Sequence, residues 1–249
     1  MAVKRSRSGS RILAVLEAIA NRQPVGVSDL ARKMGDDKSA VQRAIMTLAD
    51  AGWITPAPGK PTRWQLTAHI LTVAHASHHN NNLLLRARST LEDLRNETGE
   101  TVLLSIPDCR RFIIVDVLES RQLLRTAPGV GLVIPARHSA SGRAVLPFMD
   151  REHQFNLLGE APDAAMLAAY AKTLELGYSV SSNEDGFSGS INIGAPVLEV
   201  DGRPVAAIVV SVPAERASAS HRRKIGEQVL RSARSLSRGK PRLRVDSSG

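Results

Sequence analysis

Residues 37–52, DKSAVQRAIMTLADAG, decide how the amino-terminal part of the chain folds. Apolar side chains recur along one helical face of this stretch, at Val41, Ala44, Ile45, Leu48 and Ala49. The other face carries Lys38, Ser39, Gln42, Arg43 and Met46. Cationic, hydroxyl and amide groups at the start of a helix are suited to reading a major groove. The alternative is an ordinary amphipathic helix with a solvated polar face, and the flanking sequence favours the first interpretation.

The residues before this helix predict a helix-turn-helix. Residues 27–34 form a short helical pattern with Ser28 as its expected N-cap, and Gly35 is suited to end it. Asp36-Asp37 follows at once, and either carboxylate can cap the second helix. Farther upstream, residues 10–21 repeat apolar side chains at helical spacing. They supply a third helix to close a small core.

The residues after the helix predict a β-hairpin, the wing of a winged helix-turn-helix. Residues 53–55 and 63–66 alternate apolar with polar side chains, and residues 56–61 between them have turn chemistry. The hairpin tip carries three side chains that can contact phosphate or enter a minor groove, namely Lys60, Thr62 and Arg63. We therefore predict a DNA-binding domain over residues 10–67.

Within this domain we assign the contacts by their chemistry. Gln42 and Arg43 are the expected base contacts, and Lys38 and Ser39 the expected phosphate contacts. Arg11, at the start of the first helix, is a further phosphate candidate. The complete predicted DNA-binding set is Arg11, Ser28, Lys38, Ser39, Gln42, Arg43, Lys60, Thr62 and Arg63.

The net charge of +9 is unevenly distributed. Residues 1–70 carry 11 Lys and Arg against 5 Asp and Glu, residues 71–220 carry 13 against 17, and residues 221–249 carry 9 against 2. A basic head suits a polyanion because neutralising phosphates releases counterions, whereas an acidic body does not. Residues 1–9 are interpreted as a flexible basic arm, or simply as a disordered end. Residues 239–249 are interpreted as a disordered basic tail, and the arginine-rich stretch before them as a solvated face rather than a second DNA contact.

After residue 67 the periodicity predicts an α+β domain. Residues 67–98 are helical with a polar interruption near residues 78–82, which indicates a linker helix over residues 68–82 and a second helix behind it. An antiparallel sheet of five or six strands flanked by helices follows, over residues 83–238. The predicted strands are residues 101–106, 112–118, 122–126, 191–200 and 204–212, and the predicted helices are residues 138–149, 150–158, 163–176 and 218–237.

Composition also limits the classes of protein and site. No apolar run approaches the roughly 18 residues that span a membrane, and no apolar segment follows the basic amino terminus, so we expect a cytoplasmic protein with no membrane partner. The single Cys109 excludes an intramolecular disulfide and is expected to be structural rather than redox-active. His75, His78 and His79 have metal-ligand spacing, but no acidic residue is near in sequence, so no metal site is predicted.

The sequence offers little support for catalysis. Ser139 and Ser141 lie beside His138, but a sequence neighbour makes a poor base because triads are assembled from distant segments. Ser188 lies in GFSGS, which is not the G-x-S-x-G of a nucleophile elbow. No phosphate loop or dinucleotide fingerprint is present. We expect no catalytic residues and no cofactor, with a Ser/His hydrolase as a remote alternative.

Several motifs, taken in order, resemble the isocitrate lyase regulator (IclR) family of bacterial transcription factors. They are LARKMG at residues 30–35, KSAVQR at 38–43, LADAGW at 48–53, ETGETV at 97–102, ASGRA at 140–144, GAPV at 194–197 and SVP at 211–213. The resemblance implies a winged helix-turn-helix joined by a linker helix to a GAF-like effector-binding domain. It also implies a homodimer or dimer of dimers on double-stranded operator DNA, repressing a catabolic operon in response to a small organic or aromatic carboxylic acid.

The chain departs from the family pattern in places that matter for both sites. Asp36-Asp37 stands where an apolar residue and proline are usual, which is expected to shift the helix start and weaken phosphate contact there. Arg137 stands where histidine is frequent, and a guanidinium beside a pocket would suit a carboxylate by bidentate pairing. The predicted effector site is Ala136, Arg137, His138, Ser141, Asn192, Val209 and Ser211. The alternatives are that these small residues merely allow close packing, and that the chain is an architectural DNA-binding protein without an effector.

Overall fold

The computed structural model describes residues 6–76, 78–182 and 189–239. The chain divides into two compact units, Met1–Asn81 and Asn82–Gly249, which are described separately as the head and the body. Some features discussed above lie outside the described part of the chain, namely Lys4, Arg5, Ser188, residues 240–249 and the side chains of His75, His78 and His79.

Three helices and a two-stranded hairpin build the head. They are α1 (Arg7–Ala20), α2 (Val27–Met34), α3 (Lys38–Asp50), β1 (Ile54–Pro56) and β2 (Trp64–Leu66). The two strands pair antiparallel, and Val25 extends the hairpin through a bridge to Trp64. Side chains from every element share one core, including Val15, Ile19, Leu30, Val41, Ile45, Ile54 and Trp64. The predicted winged helix-turn-helix is confirmed.

The start of α1 and the N-cap of α2 differ from the predictions. α1 begins at Arg7, capped by the Ser6 hydroxyl, which accepts from the Gly9 amide at 3.1 Å. Arg7 therefore belongs to an ordered helix and not to a flexible arm. The residue before α2 is Gly26, whose extended backbone follows the Val25 bridge, so that the helix already starts at residue 27. Ser28 consequently lies inside the first turn, and the capping role predicted for it is wrong.

The described part of the body is a six-stranded antiparallel sheet with helices on both faces. Its strands are β3 (Thr101–Asp108), β4 (Arg111–Leu118), β5 (Val133–Pro135), β6 (Ser179–Ser182), β7 (Ser190–Leu198) and β8 (Pro204–Pro213), in the order β5-β4-β3-β8-β7-β6. α4 (His69–Ala76) still belongs to the head, and α5 (His78–Thr98) crosses the boundary between the units. The further helices of the body are α6 (Ala140–Val145), α7 (Arg151–Leu158), α8 (Ala164–Leu176) and α9 (Ala219–Leu236). The predicted α+β class is confirmed.

The two faces of the sheet are covered by different helices. α5 and α9 pack on one face through an apolar cluster that includes Leu91, Leu94, Ile193, Ile208 and Val229. α6, α7 and α8 cover the other face through a cluster that includes Leu103, Ala140, Leu146, Leu157, Tyr170 and Val209. Successive residues of a strand point to opposite faces, so Ile208 and Val209 belong to different clusters. The central strands are therefore buried on both sides.

The strand predicted over residues 122–126 is absent, because its backbone groups are engaged elsewhere. The Leu124 carbonyl accepts from Arg216 Nη1 at 3.0 Å and the Thr126 carbonyl accepts from Thr101 Oγ1 at 2.7 Å. Leu123 is 101% exposed, so the apolar alternation that suggested a strand has no core beneath it. Instead, the edge strand is β5, in a segment for which neither a strand nor a helix was predicted.

An ion pair between a half-buried arginine and a buried glutamate lies where β3 begins and β8 ends. Glu100, 2% exposed, accepts from Arg216 Nε at 2.8 Å and from Nη2 at 2.7 Å. The same guanidinium also donates to the Leu124 carbonyl. Arg216, which follows β8, therefore connects the start of β3 with residues 122–126. The hydrogen bonds that Arg216 donates to Glu100 also raise the pKa of Arg216. Bidentate geometry of this kind is the strong form of such pairs.

The packing of α9 on the sheet depends on a glycine. A Cβ built at Gly226 would lie 2.3 Å from Cε2 and Cζ of the Tyr178 ring. Overpacking typically costs about 1–3 kcal/mol, while alanine regains about 1 kcal/mol of helix propensity over glycine. Because the ring must move, we expect the cost of overpacking to exceed the gain in helix propensity. Gly226→Ala should then lower the free energy of unfolding by up to about 2 kcal/mol in urea titrations followed by circular dichroism. Gly129→Ala, where a Cβ meets nothing within 4 Å, is the matched control. Equal stabilities of the two variants would contradict this packing.

Candidate DNA interface and effector cavity

The polar face of α3 is open to solvent. The residues of α3 in the head core are Ala40, Val41, Ala44, Ile45 and Leu48. Its exposed residues include Lys38, Ser39, Gln42, Arg43, Met46 and Thr47. The face predicted to read DNA is thus presented as a continuous stripe of donors, supported from behind by the core.

Asp37 organises the first turn of α3. One of its carboxylate oxygens, Oδ2, accepts from the Ala40 amide at 2.9 Å and from the Ser39 hydroxyl at 2.5 Å. Ser39 Oγ in turn accepts from Arg43 Nη1 at 3.3 Å. The Ser39 hydroxyl, and then the Ala40 amide, lower the pKa of Asp37. The Ser39 hydroxyl predicted to contact phosphate therefore connects the cap to the guanidinium of Arg43.

Asp36 binds the first helix of the head. Arg11 Nε and Nη2 donate to its two carboxylate oxygens at 2.5 and 3.2 Å, and the Asp37 amide donates to Oδ1 at 2.8 Å. The Arg11 hydrogen bond is the main cause that lowers the pKa of Asp36. Both side chains remain about a third exposed, so solvent screens the pair. Arg11, predicted as a phosphate contact, is held by this carboxylate.

These contacts account for the departure at Asp36-Asp37. Asp36 fixes α1 to the corner of the helix-turn-helix, and Asp37 provides an N-cap, for which aspartate is among the preferred residues. Gly35 ends α2 with φ of +60°, the left-handed conformation typical of a helix C-cap glycine. α3 thus begins at Lys38, directly after the acidic pair.

The wing leaves its predicted contacts on the surface. Lys60, Thr62 and Arg63 are all exposed. The Arg63 side chain is turned toward the segment before α2, where its Nη1 donates to the Pro24 carbonyl at 3.3 Å. Ser28 is also exposed, in the first turn of α2. The structure therefore leaves these four predicted contacts accessible without bringing Arg63 to the hairpin tip.

A small cavity lies in the body between α6 and the sheet. Its volume is about 10 Å³, and it is lined by Leu103, Ile134, Ser139, Ala140, Ser141, Asn192 and Val209. Three predicted effector residues, Ser141, Asn192 and Val209, are brought together here. A cavity of this size has room for about one water molecule. The site is therefore closed in this arrangement.

Polar groups gather around this cavity in an otherwise apolar layer. Ser105 Oγ donates to Ser141 Oγ at 2.8 Å, and Asn192 Nδ2 donates to Ser190 Oγ at 3.4 Å. Ser211, 1% exposed, pairs with Asn192 across β7 and β8, and its hydroxyl has no hydrogen-bond partner among the described residues. Ser211 does not line the cavity itself.

A second hydroxyl on this side of the sheet is also buried. Tyr170, on α8, packs in the cluster beneath α6, and its hydroxyl finds no partner within the described part of the chain. Burial raises the pKa of Tyr170, which keeps the hydroxyl protonated as a donor. The effector site predicted from the sequence did not include Tyr170, Ser105 or Ser139. Ser105 was detectable, because alternation along the predicted strand places it on the same face as Leu103.

Arg137 does not take the role predicted for it. Its guanidinium pairs with Glu160, and its Nη2 donates to Asp163 Oδ2 at 2.5 Å. Its Nε donates to His138 Nε2 at 3.1 Å, and His138 adopts φ of +67°. Neither residue lines the cavity, and Ala136 is buried in the core beside it. Arg137 is therefore engaged by two carboxylates of this chain rather than aimed into the site.

The geometry of the two units defines a class. A winged helix-turn-helix with an exposed donor stripe, followed by an α+β body with a polar internal cavity, is the organisation of a DNA-binding regulator with a sensor domain. Comparison with family models gives two matches, the IclR helix-turn-helix domain over residues 9–58 and the bacterial transcriptional regulator IclR C-terminal domain over residues 75–238. The chain belongs to the IclR family of bacterial transcriptional regulators.

Curated relatives agree with this assignment. The chain is 27% identical to the acetate operon repressor of Salmonella typhimurium over 244 residues, covering 92% of this chain and 88% of the relative. It is 28% identical to the DNA-binding transcriptional repressor YiaJ of Escherichia coli over 243 residues, covering 90% and 83%. These relatives are named repressors rather than enzymes, so the expected regulatory class is confirmed.

Solved structures show the same fold. An IclR transcriptional regulator from Alicyclobacillus acidocaldarius superposes with a TM-score of 0.74 at 18% identity, covering 94% of this chain and 98% of the other. An IclR homolog from Microbacterium hydrocarbonoxydans, complexed with 4-hydroxybenzoate, gives a TM-score of 0.71 at 16% identity, covering 92% and 99%. In the described part of the present chain, no helix is both long and apolar enough to cross a membrane.

The acidic pair before α3 predicts a pH dependence of head stability. The pKa values of Asp36 and Asp37 are lowered by their bonds to Arg11 and Ser39. A carboxyl group with a lower pKa in the folded state stabilises the fold above its unfolded pKa, about 3.9, and loses that contribution as pH falls through the folded value. Unfolding of the head by urea can be followed by the fluorescence of Trp53 and Trp64. We expect the urea concentration at the midpoint to decrease when the pH is lowered below about 4.

The matched variant is D36N/D37N, in which asparagine keeps an N-cap acceptor but cannot titrate. Its midpoint should change less over the same pH range than that of the wild type. Both tryptophans of the chain are in the head, so the signal excludes the body. Identical pH dependence in the two proteins would contradict the assigned roles of these carboxylates.

Proposed function

We propose that this regulator is a ligand-responsive repressor of a catabolic operon and that its effector is a small carboxylic acid, aliphatic or aromatic. The observation that carries this proposal is the cavity beneath α6, where hydroxyl and amide side chains collect in an apolar layer and the buried Ser211 hydroxyl lacks a partner among the described residues. Buried polar atoms without partners are uncommon in native proteins and call for an explanation. An effector that reaches Ser211 supplies one.

The lining of the cavity indicates the chemistry of the effector. Ser139, Ser141 and Asn192 can donate hydrogen bonds to a carboxylate, while Leu103 and Ile134 can contact its carbon skeleton. Because Arg137 is held by two carboxylates, these neutral donors replace the guanidinium clamp. The Microbacterium structure, solved with the aromatic acid 4-hydroxybenzoate, supports this class of ligand by likeness of fold.

A metabolite must open the cavity to enter it. The present volume of about 10 Å³ admits about one water molecule, so binding has to separate α6 from β7 and β8. The opposite face of the same sheet carries α5, which continues across the boundary between the two units. A displacement of the sheet can therefore reach the head along this helix. The effector regulates DNA binding only if its affinity differs between the two arrangements.

The head is proposed to bind operator DNA through α3, with two copies of the chain on a pseudo-palindrome. Gln42 and Arg43 are the base contacts, and Lys38 is a phosphate contact. Ser39 is reassigned, because its hydroxyl lies between Asp37 and Arg43 and orients the guanidinium. A side chain held in one rotamer loses less entropy when it forms its contact.

An architectural DNA-binding protein without an effector remains the contrasting function. It requires no polar cavity, and in it the buried hydroxyl of Ser211 would only be a cost to stability, of about 1–3 kcal/mol. The two functions separate in one measurement. Operator binding that no small carboxylic acid alters would favour the architectural protein.

The effector site is tested by isothermal titration of the full-length protein with a panel of short aliphatic and hydroxyaromatic acids. For the acid that binds the wild type, we expect N192A/S211A to weaken affinity at least about tenfold, equivalent to about 1.4 kcal/mol, because two buried hydrogen-bonding groups are lost. N96A/S235A makes the same exchanges at exposed positions and should bind as the wild type does. Undiminished binding by N192A/S211A would reject the site.

The division of roles on α3 is tested by salt-titrated binding to selected operator sequences. Gln42→Ala should relax the preference at one base pair, by about 1–3 kcal/mol, whereas Lys38→Ala should weaken all sequences alike and lower the salt slope by about one. Ser39→Ala should relax preference only while Arg43 is present, and should have little further effect in an Arg43→Ala background. An equal effect of Ser39→Ala in both backgrounds would instead favour the original prediction that Ser39 contacts phosphate.

A further inference from the structure

A second concave surface lies on the head, away from the donor stripe of α3. It is a groove of about 490 Å³ between the end of α1, the outer side of α2 and the base of the wing. Its floor contains the buried side chains of Val25 and Leu30. None of the residues that line it belongs to α3. The groove is therefore a surface separate from the recognition face.

The rim of this groove is strongly basic. Four cationic residues line it, Arg22, Arg32, Lys33 and Arg63, against the single carboxylate of Asp29. Arg32 Nη2 donates to Asp29 Oδ1 at 2.7 Å, but the Arg32 side chain is 81% exposed, so this pair is weak and readily exchanged. The groove therefore keeps an excess of three positive charges around an apolar floor.

The arrangement of the rim follows from the fold. Arg63 is held beside the groove by its bond to the Pro24 carbonyl, and the Val25–Trp64 bridge brings the wing against that strand. Arg32 and Lys33 occupy the last turn of α2 and line the groove together with Leu30. Three separate segments thus place cations around one concavity, although they are distant in sequence.

The volume and charge of the groove indicate an extended anion. A volume of about 490 Å³ is many times the roughly 30 Å³ that one water molecule occupies in the liquid, so the groove admits a stretch of chain rather than a single ion. The head is a helix-turn-helix domain of a DNA-binding family, and Arg63 belongs both to this rim and to the wing. The wing and the groove therefore share a cation, Arg63.

We propose that this groove binds the phosphate backbone of operator DNA that flanks the site read by α3. The inference rests on the proposed DNA contacts of the head and extends them to a second surface. Arg22 and Lys33 each neutralise a phosphate there, and Arg32 exchanges Asp29 for a phosphate oxygen. Such contacts carry no sequence information and strengthen binding to any duplex that is long enough to reach them.

The test compares full-length wild type with R22Q/K33Q by fluorescence anisotropy at several potassium chloride concentrations. Operator duplexes are selected from a random library, then prepared in a trimmed form and in a form extended at both ends. On the extended duplex, the variant should show a salt slope lower by about 1.8, from about 0.9 per phosphate contact. Between about 50 and 200 mM salt, the wild type should therefore lose about twelvefold more affinity than the variant.

The length of the duplex and a charge-matched control separate the outcomes. The wild type should bind the extended duplex more tightly than the trimmed one, and R22Q/K33Q should lose that gain while preferring the same sequence. R151Q/K172Q removes two exposed cations of the body and should behave as the wild type does. An unchanged salt slope and an unchanged gain in R22Q/K33Q would overturn the proposal and assign the groove to an acidic protein partner. If no sequence is preferred but the slope still falls, the α3 assignment fails and the groove assignment stands.

Discussion

Burial of both faces of the central sheet is the constraint on which the body depends. β3, β8 and β7 have helices on either side, so a polar side chain on these strands must find its partner inside the protein. On the face under α5 and α9 the strands meet this requirement with apolar side chains, although Gln228 Oε1 on α9 is itself buried without a partner among the described residues. The face under α6 carries hydroxyl and amide groups and meets it only in part, through pairs such as Ser105 with Ser141. The sensor function is proposed for the face where the requirement is incompletely met.

The need to pair polar groups also explains the contacts before α3 in the head. Two carboxylates stand before α3, where the family usually has an apolar residue and proline, and each is paired within the domain. Asp36 takes Arg11, and Asp37 takes the Ala40 amide and the Ser39 hydroxyl. Arg11 offsets the negative charge of Asp36, whereas the partners of Asp37 are neutral, so Asp37 keeps its charge at the start of α3. Paired, they fix the position of α1 and the rotamers of the first turn of α3.

Local signals account for what could be predicted from the sequence, and distant contacts account for the rest. The helices of the head and the β7–β8 hairpin follow from periodicity, caps and the Asp201-Gly202 turn, all within a few residues. The 122–126 segment was mispredicted because Arg216, far along the chain, takes its backbone carbonyl. Arg137 was mispredicted for the same reason, since its partners Glu160 and Asp163 belong to another segment. Ser141, Asn192 and Val209 were predicted only through the resemblance, because the cavity that they line exists only in the folded sheet.

The acidic pair before α3 also bears on how the head divides affinity from specificity. Carboxylates at the start of a helix reduce the positive potential that would attract phosphate there, so the first turn of α3 attracts any duplex less strongly. The directional hydrogen bonds proposed for Gln42 and Arg43 are affected less, because they depend on geometry. General affinity must then come from cations elsewhere on the head, at the wing and around the basic groove. A head built in this way keeps α3 selective, since the attraction common to all DNA is supplied by surfaces that do not read bases.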